Sequence, residues 1–368
     1  MDSEKAEMQR FFAVIPAGGI GSRLWPMSRA NAPKFLHDLT GNGQTLLQDT
    51  WDRLQPLADG RTMVVTGDVH ARAVADQLPE LDFANVILEP SPRDSTAAIA
   101  LAAAVLAQRE PDVIIGSFAA DHVISDAQAF HKTVEEAVKV AATGKIVTIG
   151  LKPTEASVAF GYIKKGKRLA TDTACEVLEF VEKPDIATAR RYVASDDYLW
   201  NAGMFIAPAA KLLDILAKTQ PTLHSGVVEL ARVWDTEKRD QAMAKIWPTL
   251  TKIAIDYSVA EPAARDGEVA VVPGDFEWHD VGDFAAIAEL QSQGRKGHLA
   301  VLGSARVLSD SSSGILVSDT GRLVALIGLE DVIVVDTADA LLVTSKEHAQ
   351  KVKTLVDSLR ESGHSELL

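Results

Sequence analysis

The sequence predicts an α/β fold, with a Rossmann-like, mostly parallel sheet flanked by helices and a small β-solenoid-like unit at the C-terminal end. Three observations predict it. Over the first 150 residues short apolar runs alternate with amphipathic or alanine-rich stretches, which is the rhythm of strands and crossover helices. A polar connector, 291–297, then ends the alternation of strand-like and helix-like segments. Short strand-like runs at regular spacing follow it.

Five apolar runs are predicted to form the strands of the main sheet: Phe11–Ile15, Thr62–Thr66, Val86–Leu88, Val113–Phe118 and Ile146–Gly150. The apolar run Ala97–Ala107 is short and rich in alanine, which indicates a buried helix and not a membrane span. Ligands bind at the carboxyl ends of parallel strands. The loops after the first and fourth predicted strands should therefore meet at one cleft.

The polar connector and the different pattern of apolar runs after it predict two domains, residues 1–295 and residues 296–368. The second should contain strands and a closing helix: Gly314–Val317, Leu323–Ile327, Val332–Val335 and Leu341–Val343, then a helix with Ala349, Val352, Leu355, Val356 and Leu359 on its apolar face. Because so few turns bury little core, we expect this unit to pack on the main domain or on a second subunit.

Composition limits the partners and the compartment. The 368 residues include 51 acidic and 37 basic side chains, a net charge of −14, which argues against nucleic acid or a membrane surface as the partner. Cys175 is the only cysteine, so no intrachain disulfide can form. The first ten residues are polar and mixed in charge, unlike a secretory signal. We expect a cytoplasmic protein that binds small anions.

A glycine-rich loop with nearby cations follows the first predicted strand. Gly18, Gly19 and Gly21 allow positive φ angles and close approach to a ligand, so that successive N–H groups can point at phosphate oxygens. Arg23 and Lys34 would supply charge where it accumulates on a leaving pyrophosphate. The pattern predicts a polyphosphate site, although a ligand-free loop is the alternative for the glycines alone.

Two common nucleotide motifs do not fit this loop. A dinucleotide-binding fingerprint requires G-x-G-x-x-G, and counting from Gly19 the third glycine position holds Leu24. A Walker loop requires Gly-Lys followed by Ser or Thr after four spacers, whereas the lysine arrives only at Lys34. These mismatches disfavour a dehydrogenase and a P-loop enzyme.

Other segments offer groups for a cation and for a sugar phosphate. Asp121 and Asp280 are candidates for holding Mg²⁺, which prefers one or two carboxylates, several waters and phosphate oxygens. Glu182 and Asn201 can hold hydroxyls, and Lys183 can face a phosphate. Turn aspartates, a strand-ending salt bridge and a core aromatic cluster are the alternatives for these motifs taken singly. Their joint occurrence with the glycine loop favours the functional interpretation.

With these motifs together, the sequence resembles the sugar-nucleotide pyrophosphorylases, and within them the mannose-1-phosphate guanylyltransferases. The stretch 18–29 with Pro33-Lys34 is similar to the family signature, including the Leu24-Trp25-Pro26 step of the guanylyltransferase branch. Other motifs recur in the family's order over nearly the whole chain: Glu89-Pro90, Ala120-Asp121-His122, Gly161-Tyr162, Glu182-Lys183-Pro184, 200–205, Ile255-Asp256-Tyr257 and 278–282. The tail, 326–337, resembles the family's small left-handed β-helix.

The resemblance implies a role for each matching residue. The implied nucleotide-binding residues are Ala17, Gly18, Gly19, Gly21, Ser22, Arg23, Lys34, Glu89, Arg93, Ser95 and Asp121. The implied sugar-phosphate residues are Gly161, Glu182, Lys183, Asn201 and Asp256. Mg²⁺ would be held by Asp121 and Asp280, and the catalytic group would comprise Arg23, Lys34, Asp121, Lys183 and Asp280.

The implied reaction is transfer of GMP from GTP to mannose 1-phosphate, giving GDP-mannose and pyrophosphate, by a Mg²⁺-dependent homodimer. The segment 93–98 reads Arg-Asp-Ser-Thr-Ala-Ala where the family commonly has Arg-Asn-Thr-Ala-Pro-Ala, which leaves the base preference open. The alternatives are a related transferase for another hexose 1-phosphate or nucleoside triphosphate, and a non-catalytic sugar-nucleotide sensor with a degraded site. We expect no fused isomerase.

Overall fold

The computed structural model describes residues 6–292, 294–295 and 297–368. Gln293 and Lys296 of the predicted connector lie outside the described residues. The strands are β1 Phe11–Ala17, β2 Thr62–Gly67, β3 Val86–Glu89, β4 Ile114–Ser117, β5 His122–Ile124, β6 Ile146–Leu151, β7 Tyr162–Arg168, β8 Cys175–Val181, β9 Tyr198–Pro208, β10 Val269–Gly274, β11 Trp278–Asp280, β12 Leu299–Gly303, β13 Arg306–Asp310, β14 Gly314–Ser318, β15 Leu323–Ile327, β16 Val332–Asp336 and β17 Leu341–Ser345.

The α-helices are α1 Leu46–Ala58, α2 Ala71–Gln77, α3 Asp94–Arg109, α4 Ala127–Ala141, α5 Ile186–Ser195, α6 Ala209–Thr219, α7 Pro221–Val233, α8 Arg239–Ile246, α9 Glu261–Arg265, α10 Phe284–Ser292 and α11 Val352–Glu361. Short 3₁₀ helices lie between these elements, among them Ser22–Leu24 and Lys34–Leu36 between β1 and α1. Within the described ranges, every helix is too short or too polar to cross a membrane.

The main sheet has nine strands in the order β3-β2-β1-β4-β9-β6-β10-β8-β7. The first four run parallel, as do β6 and β10, so the α/β fold class is confirmed. Strand β9 runs antiparallel to both of its neighbours, β4 and β6. Apolar patterning did not indicate this, because strand direction depends on pairing between distant segments and not on local sequence.

Alternation along β1 places the sheet between two helical layers. Phe12 and Val14 face a core that includes α3, and Phe11 and Ile15 face the opposite core with α1 and α4. The predicted buried helix is confirmed, since every residue from 96 to 106 of α3 is buried. Six of these eleven buried residues are alanine, whose small side chains allow a helix to pack closely.

The C-terminal strands form a β-helix-like unit, as predicted. Strands β12, β14 and β16 stack in parallel with Leu299, Gly314 and Val332 in register, and β13 pairs in parallel with β15 beside them. The winding ends where β17 runs antiparallel to β16. Strands β12 and β13 were not predicted from the sequence. One predicted position of the closing helix was wrong, because Leu355 is 43% exposed on the flank of α11.

The β-helix-like unit packs against the main domain through a shared apolar core. Leu24, Trp25 and Phe284 lie in one cluster with Ile315 and Val352. The indole N–H of Trp25 also donates to the carbonyl of Leu367 at 2.7 Å, and Arg29 pairs with Asp339 at 2.8 Å. The β-helix-like unit was expected to pack on the main domain or on a second subunit, and in this structure it packs on the main domain. The exact division at residues 295 and 296 stays a prediction.

Gly314 should be indispensable to the β-helix-like unit. Its φ is +126°, and an added Cβ would overlap the carbonyl oxygen of Val332. We expect Gly314→Ala to destabilise the protein by about 3 kcal/mol or more, measured as the urea dependence of circular dichroism. The control is Gly328→Ala, where φ is +67° but nothing lies within 4 Å, so about 1 kcal/mol is expected. Equal losses in both variants would contradict this account.

Candidate active site

The glycine loop follows β1 and has the shape of an anion-binding nest. Gly19 and Gly21 have φ angles of 84° and 72°. The amide N–H groups of Gly19, Ile20 and Gly21 donate to no acceptor in the described part of the chain. The loop is held from behind, because the Ser28 hydroxyl donates to the Ile20 carbonyl. Free amides on a rigid turn with positive φ are suited to phosphate oxygens.

Lys34 lies directly against this loop. A Cβ added to Gly21 would lie 2.9 Å from the Lys34 Cβ, so only glycine leaves room for the lysine stem. The Lys34 ammonium lies 2.6 Å from Asp121 Oδ2 and 3.8 Å from Asp280 Oδ1, and it donates to the Val281 carbonyl at 3.2 Å. The loop, Lys34 and both aspartates therefore converge, as the sequence predicted for one crevice.

A pair of short strands brings the two aspartates together. Asp121 directly precedes β5, and Asp280 ends β11, which pairs antiparallel with β5 so that Asp280 lies opposite His122. Burial would lower the pKa of Lys34, but Asp121 and Asp280 outweigh it and hold that pKa above its ordinary value. Burial would raise the pKa of Asp121, but Lys34 and His122 hold it below its usual range. Lys34 and Asp121 are therefore both charged at neutral pH.

This pair of carboxylates fits a magnesium site completed by a ligand. Asp121 and Asp280 both lie within 4 Å of one cationic nitrogen, which marks a position where positive charge is favoured. Nowhere in the described ranges do three or more His, Cys, Asp or Glu side chains cluster as a metal cage. Magnesium commonly binds through one or two carboxylates and substrate phosphates without such a cage. The residues present therefore suit the ion.

A second polar cluster surrounds Asn201 in β9. Its backbone N–H donates to the Gly161 carbonyl at 2.8 Å, its Oδ1 accepts from the Thr148 hydroxyl at 2.8 Å, and its Nδ2 donates to Asp256 Oδ1 at 2.9 Å. A Cβ on Gly161 would overlap Glu182 Oε2, so glycine leaves room for that carboxylate. The sequence-predicted sugar residues thus form one connected group.

The charges of this cluster are unevenly exposed. Glu182 is 6% exposed and pairs with Lys183, whose side chain is 57% exposed and reaches solvent. Burial, followed by repulsion from Glu182, raises the pKa of Asp256 to about 6. Burial would lower the pKa of Lys183, but the bond to Glu182 outweighs it and raises that pKa. The Glu182, Asn201 and Asp256 side chains can bind sugar hydroxyls, and the exposed Lys183 ammonium can bind a phosphate.

His122 joins the two clusters, although no separate role for it was predicted from the sequence. Its Nε2 lies 4.0 Å from Asp121 Oδ1, and a Cβ on Gly203 would lie 3.8 Å from its Cε1. Gly203 is two residues from Asn201 on β9. The glycine-loop cluster and the Asn201 cluster are therefore neighbours, with the buried His122 side chain between Asp121 and Gly203.

Glu89, another residue that the resemblance implies for nucleotide binding, lies further along the sheet edge. Ala17 pairs with Thr66, and Thr66 with Leu88, so Glu89 stands two strand spacings, about 10 Å, from the end of β1. The Ala17 carbonyl already accepts from the Thr66 hydroxyl at 2.8 Å. Glu89 is buried, and its Oε1 has no partner among the residues described. The carboxylate is thus a candidate acceptor, and its role stays a prediction.

Arg93 and Ser95 already have partners within the chain. The Arg93 guanidinium donates to the carbonyls of Pro248 at 2.6 Å and Leu250 at 3.3 Å, and the Ser95 hydroxyl accepts from the Ile255 amide at 2.9 Å. Both side chains hold the segment that leads to Asp256. Their predicted contact with the nucleotide stays a prediction.

Beside the glycine loop lies a cavity of about 230 Å³. Its lining is Gly21, Ser22, Arg23, Lys34, Asp280, Gly282 and Lys353. Arg23 is exposed there and makes no hydrogen bond or ion pair with the described residues. Lys353 comes from α11, more than 300 residues after the loop, and no local pattern in the sequence marks it.

Comparison with known proteins places the chain among nucleotide-using enzymes. The nucleotidyl transferase family matches residues 12–297, and the MannoseP isomerase/GMP-like β-helix domain matches residues 305–359. The chain is 37% identical to xanthan biosynthesis protein XanB of Xanthomonas campestris pv. campestris (strain B100) and 36% identical to mannose-1-phosphate guanylyltransferase of Salmonella muenchen. Each alignment covers 98% of this chain and 75% of the relative.

A solved structure supports the same relationship. The crystal structure of mannose-1-phosphate geranyltransferase from Thermus thermophilus is similar with a TM-score of 0.84 at 31% identity. The match covers 95% of this chain and 99% of the other. Both the main sheet and the β-helix-like unit are therefore shared.

Glu89 should make stability depend on pH. Burial raises its pKa to about 7, so the folded state holds a proton that the unfolded state releases near its ordinary value of 4.5. Stability contributed by this proton is present at low pH and is lost as pH rises toward 7. We expect the unfolding free energy of Glu89→Gln, relative to wild type, to rise by up to about 3 kcal/mol between pH 4.5 and pH 8.

The measurement is urea unfolding across this pH range. Glu80→Gln, at an exposed carboxylate, is the control and should leave the pH profile as in the wild type. A Glu89→Gln profile parallel to that of wild type would refute the assignment.

Proposed function

The chain belongs to the nucleotidyl transferase family, and we propose that it transfers GMP from GTP to mannose 1-phosphate, giving GDP-mannose and pyrophosphate. The observation that carries this proposal is the convergence of the glycine loop, Lys34, Asp121 and Asp280 next to the Asn201 cluster. The relatives named mannose-1-phosphate guanylyltransferase support the choice of substrates. A homodimer and a cytoplasmic location stay predictions from the sequence.

The phosphate of mannose 1-phosphate acts as the nucleophile and attacks the α-phosphorus of GTP. No strong general base is needed, because the second pKa of a phosphate monoester is about 6 and the nucleophile arrives charged. Glu182, Asn201 and Asp256 would hold the sugar, and the Lys183 ammonium at the rim would hold its phosphate. Catalysis then consists of positioning and charge stabilisation.

On the leaving side, the free amides of the glycine loop and Arg23 would hold the outer phosphates. Lys34 keeps Asp121 and Asp280 in place beside them. Mg²⁺ held by these two aspartates would neutralise charge on the phosphate oxygens. Arg23 lines the same cavity, where its guanidinium can donate hydrogen bonds to the negative charge that develops on the leaving pyrophosphate.

The substrates can be tested by pyrophosphate release from each of four nucleoside triphosphates with mannose 1-phosphate or glucose 1-phosphate. We expect the highest kcat/KM with GTP and mannose 1-phosphate, and loss of turnover when Mg²⁺ is chelated. A higher value with another pair would make the protein a different sugar-phosphate nucleotidyltransferase. No release with any pair would favour a sugar-nucleotide sensor.

Arg23→Ala should lower kcat by about 10²-fold or more, because it removes a donor that meets charge in the transition state. The fold should be unaffected, since the exposed side chain bonds to none of the described residues. Arg72→Ala removes another exposed arginine, on α2, and serves as the control. Steady-state kinetics and thermal unfolding measure the two effects, and wild-type turnover in Arg23→Ala would rule out the assigned role.

A further inference from the structure

The C-terminal helix α11 lies directly on the catalytic loop. It packs against the short helix Ser22–Leu24 that follows the glycines. Val352 and Val356 are buried on one face of α11 and share an apolar cluster with Leu24 and Trp25. Because burial fixes this face, the flank beside it, which carries Lys353, has a defined position at the edge of the cavity.

Lys353 stands on α11 next to buried Val352 and lines the cavity with Arg23 and Lys34. Its side chain is exposed and makes no ion pair or hydrogen bond with any residue that the structure describes. Asp357, one turn further along α11, would be the natural partner but accepts from Arg360 at 3.0 Å. The Lys353 ammonium is therefore available to an anion from outside the chain.

A polyphosphate in this cavity would meet few cationic side chains that are free of partners. The Lys34 ammonium is already shared between Asp121 and Asp280. Apart from Lys353 itself, Arg23 is then the one other cationic side chain that lines this cavity in the described ranges. A triphosphate or pyrophosphate carries several negative charges, and the chain as a whole is at −14. A lysine offers a compact charge that binds phosphate without a fixed orientation.

We propose that Lys353 binds the outer phosphates of the nucleotide and the pyrophosphate formed from them. The proposal rests on the proposed function, because it adds a residue to that same site. The C-terminal unit is then part of the nucleotide site as well as a packing partner of the main sheet. The Arg23 and Lys353 side chains hold the leaving group from two different parts of the chain.

Binding of inorganic pyrophosphate to the full chain, measured by calorimetry in the presence of Mg²⁺, tests this directly. Lys353→Ala and Lys353→Gln should each weaken binding about tenfold, and Lys353→Arg should restore most of the affinity. The matched control is Lys351→Ala, which removes an exposed lysine two residues away that does not line the cavity. It should bind like the wild type, and thermal unfolding should be unchanged in all four variants.

Kinetics give a second readout. Lys353→Ala should raise KM for GTP while leaving KM for mannose 1-phosphate unchanged, because only the outer phosphates lose a contact. Wild-type affinity for pyrophosphate in Lys353→Ala and Lys353→Gln would overturn the proposal, as would equal weakening in Lys351→Ala.

The two proposals fail in different ways. If the wild type makes no GDP-mannose, the proposed substrates are wrong, and the pyrophosphate titration still decides the role of Lys353. If the wild type makes GDP-mannose but binds pyrophosphate equally well with and without Lys353, only the role of Lys353 is refuted. A wild type that binds no pyrophosphate overturns that role as well.

Discussion

The candidate active site depends on the Lys34 ammonium, which lies close to both Asp121 and Asp280. Two carboxylates this close repel one another unless a cation lies between them, and burial makes that repulsion larger. A buried ion pair is weak evidence for stability, because desolvation can cost as much as the attraction returns. The charges are better explained as a prearranged electrostatic site, in which lysine and aspartates hold one another until a phosphate ligand and its cation enter.

Two glycines make this arrangement possible, each for a different reason. Gly21 has positive φ and leaves room for the lysine stem, so the loop and its cation can lie against each other. Gly161 gives the same kind of space to the Glu182 carboxylate beside Asn201. Strand β9 then connects the clusters, because its antiparallel course between β4 and β6 brings Gly203, two residues from Asn201, close to His122. The residues proposed to hold the sugar and those proposed to hold the phosphates therefore lie side by side.

Local chemistry explains what could be predicted from the sequence and what could not. The strands β1 to β4 and β6, helix α3 and the glycine loop follow from apolar periodicity and turn residues, which act over a few neighbours. The direction of β9, the bonds of Arg93 to the 248–250 carbonyls and the position of Lys353 depend on contacts between distant segments. No spacing within a single sequence specifies such contacts. Family resemblance supplied roles for residues such as Asp256, whose partner Asn201 lies 55 positions away.

The signature stretch has two faces, and only one of them meets the cleft. Gly21 and Arg23 line the cavity, whereas Leu24 and Trp25 are buried against the β-helix-like unit, and the Trp25 indole N–H donates to the Leu367 carbonyl. The same short segment thus lines the proposed phosphate site and packs against the C-terminal unit. If Lys353 binds the outer phosphates, the nucleotide binds more tightly when the C-terminal unit is docked on the main domain. Because linkage is reciprocal, nucleotide binding then stabilises the docked state of that unit by the same free energy. The tail and the nucleotide site are then a single thermodynamic unit, although they lie at opposite ends of the chain.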